Sequence, residues 1–271
     1  MIKTEFIDGV LQFSDVAPII GECDVLVVGG GSSGIAAAAG SARNGARTIL
    51  VERYGFLGGT STAALVGPFM TCFDSEGNQQ VVRGVMQQII DRMVALGGCI
   101  DPRNIGEATA FASFINLGHD HVTPFDPEAL KTAGLELLTE LGVEINFHTY
   151  FIDTLLEDDK VTGIIVATKN GFGIIKAKRV IDTSGDGDVA AKAGVSFDKG
   201  RAEDGLTQPA TLFFRMANVD DDKVKNWHEE HQKIHPGERI YECIVQDAKK
   251  RGEFSVPREY FCIYRMPRPR E

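Results

Sequence analysis

The chain has 271 residues, enough for one large domain or two modest ones, and its 43% hydrophobic and 24% charged content is that of an ordinary water-soluble globular protein. A net charge of −10 argues against a nucleic-acid or anionic-membrane surface, because phosphate recognition needs clustered lysine and arginine, and the basic tail at 265–270 is too short to reverse that balance. The opening residues lack the apolar run of a secretory leader, no stretch is long enough to span a bilayer, and five cysteines without a CxxC pair argue against a disulfide framework or a zinc site. The expectation is a cytoplasmic protein in which each thiol is buried and free.

In chain order, residues 24–28 (DVLVV) form a short apolar run ending in glycines, the pattern of a buried parallel strand. Residues 33–44 are alanine-rich and predict a helix, and residues 46–51 (ARTILV) predict the next strand. Strand, glycine turn, helix and strand together make one βαβ crossover. A glycine-rich stretch follows at 54–62 (YGFLGGTST), then apolar residues at helical spacing over 81–96. Residues 101–127 read as irregular. Residues 126–141 predict a helix with Asp126 as N-cap and Pro127 in its first turn.

Residues 143–148 return as a strand. Residues 161–168 and 173–178 read as a hairpin through Asn170-Gly171, and 179–183 as a separate last strand running into SGDGD at 184–188 and a short alanine-rich helix. Beyond 200, residues 211–216 (TLFFRM) and 260–266 (YFCIYRM) look strand-like, whereas 220–233 and 238–251 read as charged helices. The expected division is a discontinuous nucleotide-binding domain of 1–66 and 126–200, with a second lobe of 67–125 and 201–271.

The loop Gly29-Gly30-Gly31-Ser32-Ser33-Gly34 contains GxGxxG, a weak signal alone. Its setting strengthens it. In such a loop the first glycine turns the chain from strand to helix, the second admits a pyrophosphate against the backbone, and the third lets helix and strand pack closely. The anion then meets free N–H groups and the positive end of the helix dipole. Glu52 ends the second strand, where a carboxylate can accept hydrogen bonds from ribose hydroxyls and disfavours a 2′-phosphate. The bland alternatives are a glycine turn without a ligand and a solvated strand-end charge. The coincidence of strand, loop, helix and carboxylate argues against both.

A second glycine turn, Gly58-Gly59-Thr60-Ser61, follows the acidic residue closely. It suits a ligand extending past its pyrophosphate, a reading that stands ahead of the bland one in which Thr60 or Ser61 is an ordinary helix cap. With these motifs assembled, DVLVVGGGSSGIAAAAGSARNGARTILVER, FLGGTST and RVIDTSGDGDVAAKAG resemble the FAD-dependent oxidoreductases of the glutathione-reductase-like superfamily, in the branch that carries GDGDVA. The resemblance covers roughly residues 23–216.

It implies an α/β fold, with a Rossmann-like FAD-binding domain (a parallel sheet with a β-meander) and a partial α+β substrate lobe. It also implies that Gly29, Gly30, Gly31, Ser32, Ser33 and Gly34 cradle the pyrophosphate of FAD. Glu52 would hold the adenosine ribose with Arg53 beside it, and Gly59, Thr60 and Ser61 would lie along the phosphate and ribityl part. The backbone of Phe151 would meet adenine, and Ser184, Gly185 and Asp186 would form the second flavin motif. Asp186 and Asp188 also suggest a calcium loop, but the twelve-residue pattern with its terminal glutamate is missing, and helix capping is the simple role for Asp188.

Catalytic side chains are hard to read, because a flavin carries the hydride chemistry itself. His119 and His121 sit in a proline-flanked loop, where a histidine can relay protons, though surface polarity is the plainer reading. Arg215 lies within an apolar run and either clamps an acidic substrate or faces water. His228, His231 and His235 read as solvated helix surface, with Trp227 anchoring that helix. No metal site is expected.

Members of this branch generally run further than the equivalent of Glu271, so a second subunit or a homo-oligomer partner is expected to complete the active site. The expected function is hydride transfer between a small organic substrate and FAD. The alternatives are a non-catalytic FAD-binding or electron-relaying subunit and, more remotely, a nicotinamide-only dehydrogenase.

Overall fold

The computed structural model of the chain describes residues 3–70, 72–104, 122–239, 241–261 and 263–267. It divides into one unit of Met1–Ala64 with Lys131–Leu212 and another of Leu65–Leu130 with Phe213–Glu271.

The first unit opens with a hairpin of β1 (Lys3–Ile7) and β2 (Val10–Ser14). Asp8 and Gly9, both at positive φ, form its two-residue turn, an arrangement that Asp-Gly adopts readily. Next come β3 (Ile19–Val28), helix α1 (Ser32–Arg43) and β4 (Thr48–Val51). Helix α2 (Val85–Ala95) belongs to the second unit. Helix α3 (Pro127–Glu140) crosses the boundary and leads into β5 (Glu144–Asn146). Strands β6 (Tyr150–Glu157), β7 (Lys160–Thr168) and β8 (Gly171–Asp182) then form a meander that ends at the short helix α4 (Asp188–Lys192).

The six strands from β3 onward make one sheet in the order β5-β4-β3-β8-β7-β6. Strands β5, β4, β3 and β8 run parallel, and β7 is antiparallel to both its neighbours. From β3 the chain winds outward to β4 and β5, then returns on the other side of β3 as β8. This reversal is the topological switch point where open α/β sheets bind ligands, beyond the carboxyl ends of their strands.

The apolar content of the strands explains the core. Leu26, Val28, Ile49 and Val51 pack with Ile164 and Ile175 of the meander, all nearly or wholly shielded from water. Burying each such side chain contributes on the order of 2 kcal/mol before chain entropy is charged against it. Helix α1 buries Ile35, Ala38 and Ala39, and Gly134 of α3 lies against the Ile35 side chain.

The meander corrects the strand assignment in two ways. The run at 173–178 and the run at 179–183 belong to one strand, β8. Lys176, Lys178 and Arg179 interrupt the apolar pattern because their edge of the strand faces water, where Lys178 Nζ lies 2.6 Å from Asp24 Oδ1. Strand β6 was also unforeseen, since YFIDTLLE lacks clean alternation. It pairs with β7 through two register irregularities.

In the second unit α2 buries Ile89, Ile90 and Met93, and Phe125 stacks on Phe69 with ring centroids 4.2 Å apart. A 3-10 turn at Pro102–Asn104 and helices α5 (Asp221–Ile234) and α6 (Glu242–Lys250) also belong to this unit. The runs at 211–216 and 260–266 are not strands among the described residues. A strand needs a ladder partner, and neither run has one there. Leu212 is 90% exposed, while Tyr260 lies beneath the Arg239 guanidinium at 3.9 Å.

His228 and His231 are buried rather than solvated, and Trp227 and His235 stack on the His231 ring. Cys23, Cys72 and Cys99 are buried free thiols, but Cys243 is only half-buried. Burial pushes Cys23 up to about 11 and Cys99 up to about 12, so neither supplies a thiolate near neutral pH. Cys262, His119 and His121 lie outside the described residues. Among the described residues no helix is long and apolar enough to cross a membrane.

Candidate FAD site

Strands β3, β4 and β8 end at Val28, Val51 and Asp182, and the segments leaving those ends come together. The Gly29 N–H donates to Val51 O at 2.9 Å, and the Thr183 N–H donates to Val28 O at 2.9 Å. The Thr183 hydroxyl lies 2.8 Å from Gly29 O, tying the glycine loop to the end of β8. Gly34, in the first turn of α1, packs so tightly that a Cβ there would overlap the Gly29 carbonyl oxygen.

Helix α1 starts after Gly31 with no side-chain cap and no acidic residue in its first turn. Ser32 and Ser33 are exposed. The first amides of α1 are therefore available to an anion, with no carboxylate competing for them.

The second turn sits directly on the first. Gly58 N–H donates to Gly30 O at 2.8 Å, and Gly31 and Gly58 form a parallel bridge. A Cβ on Gly59 would lie 2.8 Å from the Gly31 Cα, so the second backbone needs glycine at this crossing, whereas a Cβ on Gly31 would meet the Gly59 Cα at an ordinary 3.7 Å. Residues Gly59–Ser61 form a 3-10 turn capped by Gly58, without the Thr60 or Ser61 side chain serving as cap. Thr60 is exposed, whereas Ser61 is buried with its Oγ 3.4 Å from Ser32 Oγ. Thr62, which sequence reasoning passed over, locks the turn by donating its hydroxyl proton to Leu57 O at 2.8 Å.

Glu52 is 5% exposed and already holds the loop together. Its Oε2 accepts from the Gly30 N–H at 2.6 Å and its Oε1 from the Tyr54 N–H at 2.8 Å. Each carboxylate oxygen retains a further lone pair, so ribose hydroxyls can add to these bonds. Arg53 is exposed, with its guanidinium 5.0 Å from the Tyr54 ring centroid.

Beside Glu52 the backbone belongs to His148 and Thr149. Thr149 N–H donates to Glu52 O at 3.0 Å, and His148 N–H to Tyr54 O at 3.2 Å. Phe151 lies two residues further on, in β6 opposite Val166, with its side chain packed on the sheet core. Sequence reasoning missed His148 and Thr149. The signal available was their position immediately after the third parallel strand.

At the end of β8, Ser184 adjoins Gly29, while Gly185 and Asp186 are exposed. Asp188 is not a cap: α4 begins at Asp188, behind Gly187. Asp182, another residue not foreseen, takes that role. Its Oδ2 accepts from the Ala190 N–H at 2.9 Å, and its Oδ1 accepts from the Ser184 hydroxyl at 2.7 Å. Ser184 Oγ in turn accepts from the Asp188 N–H at 2.9 Å.

Burial pushes the Asp182 carboxyl up, but the bonds from Ser184 and Ala190 outweigh it and hold the group below its ordinary range. A depressed carboxylate stabilises the fold above its unfolded pKa and loses that contribution as pH falls through the folded value. The urea midpoint of the wild type should therefore fall more steeply than that of Asp182→Asn as pH drops below about 4. Parallel pH profiles for the two proteins refute this role for Asp182.

The arrangement fits an adenine dinucleotide. It combines an uncapped helix start, glycines where two backbones cross, and a buried carboxylate at the end of β4. The family model described as FAD dependent oxidoreductase matches residues 24–270. The chain belongs to this FAD dependent oxidoreductase family. Its cofactor is accordingly FAD.

A curated relative of this FAD dependent oxidoreductase chain is the thiamine thiazole synthase of Methanococcus vannielii, 28% identical over 174 residues. That match takes in 60% of this chain and 56% of the relative, so the chain spans a little over half the relative's length. Among solved structures, similar folds include a geranylgeranyl bacteriochlorophyll reductase-like protein from Thermoplasma acidophilum, at TM-score 0.44 and 16% identity over 64% of this chain and 42% of that one. The L-proline dehydrogenase from P. horikoshii matches at TM-score 0.43 and 18% identity over 66% of this chain and 57% of that one.

Arg215, in the second unit, lies in an irregular segment with its Nη1 3.5 Å from the Oδ1 of the buried Asp126. The same Oδ1 accepts from the Glu128 N–H at 3.1 Å, in the first turn of α3.

Proposed function

We propose that this chain carries the FAD-binding part of an enzyme that moves a hydride between a small organic substrate and the flavin. The observation behind this reading is the crossing of Gly31 and Gly59 at the switch point of the sheet, with Glu52 bonded into the same loop. Two glycine turns stacked this closely suit a ligand that continues beyond its pyrophosphate.

Under this reading α1 binds the pyrophosphate through its first amides. Glu52 orients the adenosine ribose, and Thr149 and His148 border the adenine side. Ser61 and Ser184 flank the run toward the flavin, with Asp182 holding Ser184 in place. The flavin, when bound, supplies the hydride-accepting ring. His119 or His121 serves as proton relay in this proposal, and Arg215 acts as counter-ion to Asp126 rather than as a substrate clamp.

The test is anaerobic titration of the FAD-loaded protein with a panel of small alcohols, amines and 2-hydroxy acids. Bleaching of the blue flavin band by one donor class is the expected outcome. A flavin that chemical reductants bleach, but no member of the panel does, contradicts the hydride-transfer reading.

A further inference from the structure

The second unit brings together three ligand-type side chains that the FAD site does not use. His231 lies near the end of α5, Glu238 in the segment after it, and Cys243 is the second residue of α6. One imidazole nitrogen, one carboxylate oxygen and the thiol sulfur all lie within 4.8 Å of one another.

The cluster is held in place from several sides. The His231 ring stacks on Trp227 at 4.9 Å and on His235 at 4.7 Å, which fixes its plane. Its Nε2 lies 2.9 Å from Glu238 Oε2, and His235 Nδ1 lies 3.5 Å from Glu238 Oε1. Gln232 pins the Glu238 segment to α5, donating to Glu238 O at 2.6 Å and accepting from the Gly237 N–H at 3.2 Å.

We propose that His231, Glu238 and Cys243 bind a zinc ion that ties the end of α5 to the start of α6. Zinc takes mixed nitrogen, oxygen and sulfur ligands at about 2.0–2.3 Å, which places tetrahedral ligand atoms about 3.4 Å apart. The closest pair, His231 Nε2 and Glu238 Oε2, already lies at 2.9 Å, and the thiol completes the group within 4.8 Å. Calcium and magnesium prefer oxygen cages, so the thiol and imidazole select against them. Three protein ligands leave a fourth position for water or an exogenous ligand. The site shares no residue with the FAD site, so it stands or falls independently of the proposed function.

The test strips the full chain with a chelator and titrates it with Co²⁺, read as a difference spectrum so that flavin absorbance cancels. The expected result is one Co²⁺ per chain with a near-ultraviolet thiolate-to-metal band, displaced by Zn²⁺. Cys243→Ser should abolish the band, Cys72→Ser should keep it, and Glu238→Gln should weaken Zn²⁺ binding at least tenfold. Unchanged circular dichroism checks that each variant is folded. Absence of the band in the wild type, its survival in Cys243→Ser, or full zinc affinity in Glu238→Gln overturns the proposal.

Discussion

Replacing Gly34 with valine should yield protein without FAD and with a clearly lowered urea midpoint. The reason is steric. Any Cβ at Gly34 overlaps the Gly29 carbonyl oxygen and sits 3.1 Å from Thr183 Oγ1, so α1 must move away from the glycine loop. Valine adds two methyl groups where even one carbon does not fit. Overpacking of this kind costs about 3 kcal/mol, a sizeable part of a domain's net stability. The movement also carries the first amides of α1 away from the pyrophosphate. Gly40→Ala is the matched control, since a Cβ there meets nothing within 4 Å. It should retain FAD and gain up to about 1 kcal/mol from better helix propensity. If Gly34→Val retains FAD and its midpoint, the close approach of helix and loop is not what shapes the site.

Glu52→Gln should weaken FAD binding at least tenfold while the chain still folds. The carboxylate accepts from two backbone donors, Gly30 N–H and Tyr54 N–H, at a position 5% exposed. A glutamine of the same shape has one acceptor oxygen. Its amide NH2 must face one of those donors and leave that N–H unsatisfied, a cost of about 2 kcal/mol. The loop bearing Gly30 then loses its anchor, and the ribose loses its charged acceptor. Fluorescence titration of deflavinated protein measures the effect directly. The loss should be larger for FAD than for FMN, because FMN has no adenosine ribose to lose. Equal losses for the two flavins place the effect of Glu52 elsewhere.

The legible part of this molecule was what neighbouring residues impose on one another. Gly29–Gly34 announce a strand-to-helix turn because only glycine tolerates the approach of the Gly29 carbonyl to α1. Glu52 was legible by position alone. That its oxygens close the loop through Gly30 and Tyr54 was not, since those bonds depend on how the second turn folds back. Asp182 was hidden for a similar reason. Its capping bond reaches eight residues forward to Ala190, beyond the spacing of a familiar helix cap. Strand β8 reads as two pieces in the sequence because Lys176, Lys178 and Arg179 separate its apolar runs, yet these exposed charges belong to one continuous strand. The Asp8-Gly9 hairpin, by contrast, carried a local signal that was overlooked. His231 is buried beneath Trp227, whose ring in turn meets the more distant Tyr241 at 4.9 Å, and a charged helix gives no hint of that packing.

The most direct test of the central claim is flavin content. The purified chain, or the chain refolded with flavin, is expected to hold one FAD per polypeptide with the two-banded flavin spectrum, released intact on denaturation, and to prefer FAD over FMN by at least tenfold. A colourless chain that FAD cannot reconstitute, or one that takes FMN equally well, contradicts an adenine-dinucleotide site built from Gly29–Gly34, Glu52 and Gly58–Ser61.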